Sequence, residues 1–335
     1  MKESKTKCFI IDSEVTTKLA MELTTFFVKC KMEKANALLV INSAGGNMDA
    51  VVQIVETYKA AGIYLITIGA GRLANCTSAL FCLGDERVLL PNTSLLLHND
   101  FQKYFCEKTK ITEEIFAQNK LKKTWLVDEK DYEEYGITTR NHEGWFDIVV
   151  EAMKDDNNLG AEYFCFSGEF NNKNAIEVLK YFVACKLNKA EKATILINSP
   201  GGEVQQLSFI LEAYKASQLP LTVLGTGQVG SCGSCLFCMG DERILLPNTK
   251  FLIHHPSWDK NGKLLYDEIR DESKGIIRCD NYVFEILSKK TKLTKYIYTK
   301  KCKKSEDWIL SDEEIKKYNV TTKDSSEWIN ALTDG

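Results

Sequence analysis

Residues 37–99, ALLVINSAGGNMDAVVQIVETYKAAGIYLITIGAGRLANCTSALFCLGDERVLLPNTSLLLHN, return 156 positions later as residues 193–255, ATILINSPGGEVQQLSFILEAYKASQLPLTVLGTGQVGSCGSCLFCMGDERILLPNTKFLIHH. The offset needs no gap: Asn42 and Asn198, Gly84 and Gly240, Pro91 and Pro247, His98 and His254 all keep it. A repeat of this length is a duplicated domain and too long for a solenoid unit. Whatever fold one copy adopts must also suit the other. One difference bears on chemistry, for Ser231 falls opposite Asn75.

Within each copy, short β-rich runs alternate with longer helical patterns. In the second, YFCFSGEF reads as a strand and turn, NAIEVLKYFVACKLN as a helix, ATILIN as a strand and VQQLSFILEAYKASQ as a helix. LPLTVLG is then a strand, SCGSCLFCMG a small-residue helix, and RILLP and KFLIHH strands. Such alternation predicts α/β domains with parallel crossovers. With 335 residues the chain has room for two domains, each with its own core. We place them at residues 1–150 and 160–335, joined near Asp155-Asp156-Asn157-Asn158.

The copies diverge after the histidine. His254 is separated from Trp308 by 54 positions, whereas His98 reaches the matching Trp125 in 27. The first copy therefore lacks about one long helix, after which DEKDYEEYGITTR and SDEEIKKYNVTTK match again.

A net charge of −3 gives no electrostatic case for nucleic acid or an anionic membrane. No apolar run approaches the roughly 18 to 20 residues of a membrane span, and the start, MKESKTKCFIIDSE, lacks the apolar core of a secretory signal. The twelve cysteines are spread through apparent strands and helices, the pattern of reduced thiols in a cytoplasmic protein.

The chemistry gathers in the second copy. Asn198-Ser199-Pro200-Gly201-Gly202 follows a buried strand, and its two glycines leave backbone N–H groups unobstructed. After the next strand comes GQVGSCGS, which presents Ser231 on a glycine-flanked turn at a helix N-terminus. A serine so placed suits a nucleophile, with the following N–H available to an oxyanion. His254, in LIHHP, can supply the general base.

Taken in order, INSPGG, GQVGSCGS, LPNTKFLIHHP and EDWILSDEEIKKYNV resemble the proteolytic subunit of the Clp protease, ClpP. The resemblance covers nearly all of residues 160–323 and, in degraded form, residues 8–139, as a tandem fusion of a degenerate and an intact copy. It implies two tandem crotonase-like α/β domains of the ββα superhelical type. It also implies serine endopeptidase chemistry, a ring-shaped homo-oligomer, a peptide or unfolded protein substrate and a Clp-type ATPase unfoldase as partner. No cofactor and no metal are implied.

Carried over by position, Ser231 is the nucleophile, His254 the base, and the amides of Gly201, Gly202 and Cys232 the oxyanion hole. Cys232 stands where the family often has Met. The orienting acid is Glu306, two residues before Trp308, or Asp307, whose shorter arm resembles the family's aspartate; both stay open. In the first copy Asn75 replaces the nucleophile, and Lys123 and Thr124 replace the carboxylates. That copy reads as an inactive structural protomer.

Other readings compete. Gly225-x-Gly227-x-x-Gly230 matches a dinucleotide fingerprint, as Gly69-x-Gly71-x-x-Ala74 nearly does, yet no strand-end acid follows about 20 residues on. Cys232, Cys235 and Cys238 stack on one helix face, and the first copy puts Cys76, Ala79 and Cys82 there, which reads as core packing. Two further functions remain: a noncatalytic scaffold or regulatory subunit of a Clp-like ring, and a crotonase-like acyl-CoA enzyme, which needs no Ser/His pair.

Overall fold

The protein is described from a computed structural model, over residues 5–120, 123–155, 162–257, 266–302, 307–327 and 331. Part of the expected connector, residues 156–158, and Glu306 lie outside the described residues. Packing divides the chain into two compact units. One comprises residues 1–159 with 175–187 and 208–217, the other residues 160–174, 188–207 and 218–335.

The first copy runs β1 (Thr6–Ile11), α1 (Thr17–Glu33), β2 (Asn36–Ser43), α2 (Met48–Ala61), β3 (Leu65–Ala74), α3 (Cys76–Cys82), β4 (Glu86–Leu89) and β5 (Ser94–His98). It continues through α4 (Gln102–Lys108), α5 (Glu113–Asn119), β6 (Thr124–Val127) and α6 (Trp145–Met153). The second repeats the series as β7 (Phe164–Ser167), α7 (Asn172–Leu187), β8 (Ala193–Ser199), α8 (Val204–Ser217), β9 (Leu221–Gly230) and α9 (Cys232–Met239). β10 (Glu242–Leu245), β11 (Lys250–Ile253), α10 (Tyr266–Lys289), α11 (Lys295–Lys301), β12 (Trp308–Ile309) and α12 (Asp312–Lys317) complete it.

Each copy builds one six-stranded sheet with one topology. The first has the order β1-β2-β3-β5-β6 with β4 also on β3; the second has β7-β8-β9-β11-β12 with β10 also on β9. All pairings are parallel except β5–β6 and β11–β12. Helices cover such sheets on their faces, which is why β2 is a near-continuous buried apolar run, NALLVINS.

β9 extends beyond the expected LPLTVLG through GQVG. Its first half pairs with β10 and its second with β11, so the glycine-rich stretch stays extended on a fresh ladder. Pairing with β8 shifts register between Ile197 and Ser199, and β2–β3 shifts at the equivalent place, between Ile41 and Ser43. In each copy the intervening asparagine closes the gap. Asn198 Oδ1 accepts from the Gln228 N–H at 3.1 Å, and Asn42 Oδ1 from the Arg72 N–H at 3.3 Å.

The arginine of GDER is buried in both copies, and among the described residues its guanidinium bonds backbone carbonyls. Arg243 donates to Gly240 (2.8 Å), Lys290 (3.0 Å), Asn319 (2.9 Å) and Val320 (2.7 Å). Arg87 donates likewise to Gly84, Lys108, Gly136 and Ile137. Each guanidinium thus pins the returning C-terminal segment of its own copy to the sheet. The helix after the histidine is the main difference, 24 residues in α10 against 7 in α4.

Candidate active site

Ser231 caps the N-terminus of α9 with φ 54° and ψ −119°. This is a strained conformation for a residue with a side chain, of the kind a nucleophile elbow adopts. Two features hold it there: the Ser231 N–H donates to the Leu252 carbonyl of β11 (3.0 Å), and the Gly201–Gly202 turn presses against it. A Cβ on Gly201 would collide with Ser231 Cβ, and one on Gly202 would lie 2.6 Å from backbone atoms of Phe170. Both glycines also have positive φ, 113° and 146°. Glycine is required there twice over.

Of the three expected oxyanion donors, one is already committed. Gly201 N–H donates to the buried Ser199 Oγ at 3.1 Å. The Gly202 and Cys232 amides both face the Cys232 thiol. The Cys232 thiol bonds the Gly202 carbonyl (3.2 Å), and burial pushes it up to about 12, so it stays protonated beside the serine.

His254 follows directly on β11. It shares with Ser231 a cavity of about 210 Å³, lined also by Gly202 and Cys232 and walled by Val204, Ile253, Val283 and Leu287. Among the described residues the hydroxyl and the imidazole share no hydrogen bond, a looseness common in unliganded sites. His254 Nδ1 lies 2.7 Å from the His255 carbonyl. A carbonyl only accepts, so Nδ1 carries the proton and Nε2 keeps its lone pair. This is the tautomer a general base needs.

β12 pairs antiparallel with β11, Ile253 opposite Trp308 and Leu252 opposite Ile309. Continued one residue further outward, beyond the two paired positions, that register would bring Asp307 toward His254. The same ladder in the first copy pairs His98 with Thr124 directly. Asp307 is exposed, and its charge reaches Cys302, whose Sγ lies 3.7 Å from the Ile253 carbonyl.

The first copy repeats the backbone without the chemistry. Asn75 has φ 53° and ψ −121°, and its Nδ2 donates to the Ala44 carbonyl at 3.1 Å. His98 Nδ1 accepts from the Asp100 N–H at 3.3 Å. The same Nδ1 lies 3.5 Å from the Asp100 carboxylate.

A larger cavity, about 500 Å³, opens elsewhere in the second unit between Lys192, Asp241, Glu242 and Lys323. Its charges are largely paired, Lys323 with Glu242 at 2.8 Å and Asp241 with Lys290 at 2.6 Å, and it holds no nucleophile. Sequence reasoning overlooked the supporting groups Ser199, Asn198 and Arg243. Their recurrence as Ser43, Asn42 and Arg87 was the available signal. Among the described residues no helix is long and apolar enough to cross a membrane, and none of the twelve cysteines forms a disulfide.

Comparison with known proteins matches a family model described as Clp protease to residues 4–129 and again to residues 151–322. The ATP-dependent Clp protease proteolytic subunit 3 of Rhizobium etli is 29% identical over 158 residues, which span 47% of this chain and 79% of that protein. Subunit 2 of Gluconobacter oxydans is 30% identical over 154 residues, 44% of this chain and 67% of that protein. A solved structure of a ClpP1 point mutant from Listeria monocytogenes is 28% identical, covering 49% of this chain and 90% of that one with a TM-score of 0.44.

Proposed function

Because the chain belongs to the Clp protease family and carries its fold twice in tandem, we propose that it is a serine endopeptidase whose hydrolytic site lies wholly in the second copy. The observation that carries this reading is Ser231 on a strained elbow, abutting the Gly201–Gly202 turn, in one cavity with a base-competent His254. Ser231 Oγ attacks the scissile carbonyl while His254 Nε2 takes its proton. The Gly202 and Cys232 amides stabilise the resulting oxyanion. Collapse expels the amine with the proton returned by His254, and water then hydrolyses the acyl-enzyme by the same exchange.

Asp307 is our choice as the orienting acid. The β11–β12 register favours it, since directly opposed antiparallel residues bring their Cβ atoms within about 5.5 Å. The wall of Val204, Val283 and Leu287 favours an apolar substrate side chain next to the cleaved bond. In the first copy, Asn75 at the elbow, its amide bonded to the Ala44 carbonyl, supports a structural role.

Ring assembly, domains bounded at residues 1–150 and 160–335, a cytoplasmic site of action and a Clp-type ATPase partner belong to the same proposal. The relatives are named as subunits of ATP-dependent proteases. The second reading, a noncatalytic ring component, is favoured by the missing Ser231–His254 hydrogen bond.

A fluorophosphonate probe separates the two. The wild-type chain is expected to gain one label, seen by intact mass, and to cleave a short fluorogenic peptide; Ser231→Ala should do neither, and His98→Ala should do both. Labelling that persists in Ser231→Ala would overturn the assignment.

A further inference from the structure

A second histidine adjoins the base, and the proposed reaction leaves it unused. His255 Nδ1 lies 2.6 Å from Asp280 Oδ1, which comes from the long helix α10. The same carboxylate accepts from Tyr298 OH at 2.7 Å and pairs with Lys295 Nζ at 3.0 Å, both from α11. The rings of His255 and Tyr298 meet edge to face with centroids 4.6 Å apart. Burial alone would push the Asp280 carboxyl up, but its three donors together hold it below the usual range. The cluster is therefore a charged, fully engaged anchor that joins α10 and α11 to the end of β11.

What the anchor holds is a peptide group. Pro256 confines the His255 backbone to extended conformations, and the anchored ring fixes its side chain. The carbonyl between these two constraints is the one that accepts the His254 Nδ1–H. We propose that His255, held by Asp280, is a positioning residue that sets the tautomer of His254 through its own backbone carbonyl. Asp307 has a separate task, to stabilise the imidazolium once the proton has arrived. The inference rests on the reading of His254 as the base. The first copy lacks the anchor altogether, with Asn99 after its histidine and a seven-residue α4 in place of α10.

The chain has four histidines, so the imidazole nitrogens can be assigned by substitution and followed by ¹⁵N NMR. In the wild type His254 should show a protonated Nδ1. In Asp280→Asn, and in His255→Ala as a second variant, that signal should move toward a mixture of tautomers. Peptide kcat should fall about three- to tenfold with KM little changed, the shift expected when one hydrogen bond's worth is removed from a two-state population. Asp280→Glu should restore part of it. Unchanged His254 nitrogen shifts in both variants, with the melting midpoint retained, would overturn the proposal. If Ser231 takes no probe in any variant, the hydrolytic reading fails instead, and the nitrogen shifts still decide the tautomer.

Discussion

At the two elbows the backbones agree within a few degrees, φ 54° and ψ −119° at Ser231 against φ 53° and ψ −121° at Asn75, while the side chains differ in kind. Strain at such a place is usually a pointer to function. Here the fold imposes it, because the strand–elbow–helix turn and the glycine pair behind it recur in both copies. The proposed reaction depends instead on what the elbow presents and on the histidine beside it. Ser231 offers a hydroxyl beside a histidine with a free Nε2. Asn75 spends its amide on the Ala44 carbonyl, beside a histidine whose Nδ1 is occupied.

The sharpest way to break this contrast is at the acid: Thr124 pairs with His98, and Asp307 is the proposed counterpart at His254. Asp307→Asn should lower peptide turnover by up to about 10⁴-fold, as loss of the orienting acid does in well-studied triads. Glu306→Gln should leave turnover within a small factor. Equal losses in the two variants, or none in either, would end the register argument.

A smaller effect tests whether the two scaffolds are equivalent where the chemistry is not. Arg243→Lys and Arg87→Lys each exchange a five-donor fork for a single ammonium in a buried site. Each should destabilise its own unit by about 2–4 kcal/mol through unpaired carbonyls. Differential scanning calorimetry would read this as a lowered transition for one unit at a time. A loss confined to Arg243 would mean that the first copy no longer depends on its clamp.

The smallest expected effect is a null one. Burial pushes the thiols beside the elbows up, Cys76 to about 11 and Cys232 to about 12. A raised value keeps each thiol protonated at neutral pH, and thiolate appears only as pH climbs toward those values. Iodoacetamide at about pH 8 should therefore spare both in the native chain while it modifies the exposed Cys165, as peptide mass mapping would show. Rapid alkylation of Cys232 would mean that the pocket beside the nucleophile opens.

Much of this was legible in the sequence, and for definite reasons. The repeat fixed two copies of one topology, and the change between two-residue and 3.6-residue periods marked most strands and helices. Ser231, His254 and the glycine pair carried their chemistry in residue type alone. The choice between Glu306 and Asp307 was not legible, because one residue of slip in a strand exchanges the two faces. β9 was cut short because glycine-rich sequence reads as a turn, whereas here a new neighbour extends it. The clamp at Arg243 could not be read from the sequence, since its carbonyl partners lie up to 77 residues away. His255 was hidden for a similar reason, as its partner Asp280 comes from a helix 25 residues downstream.

The two arginine clamps also set a timetable for synthesis. Arg87 has its last partners once Ile137 has emerged, 50 residues later, whereas Arg243 must wait 77 residues for Val320. Until then each guanidinium either stays in water or is buried unpaired, so neither sheet can close early. The longer wait spans α10, the segment that the first copy has shortened. Loop closure costs more over the longer span, and domains generally fold in the order of their synthesis. The clamp of the first copy can thus close while the second copy is still leaving the ribosome. The sheet that carries Ser231 closes after the one that carries Asn75.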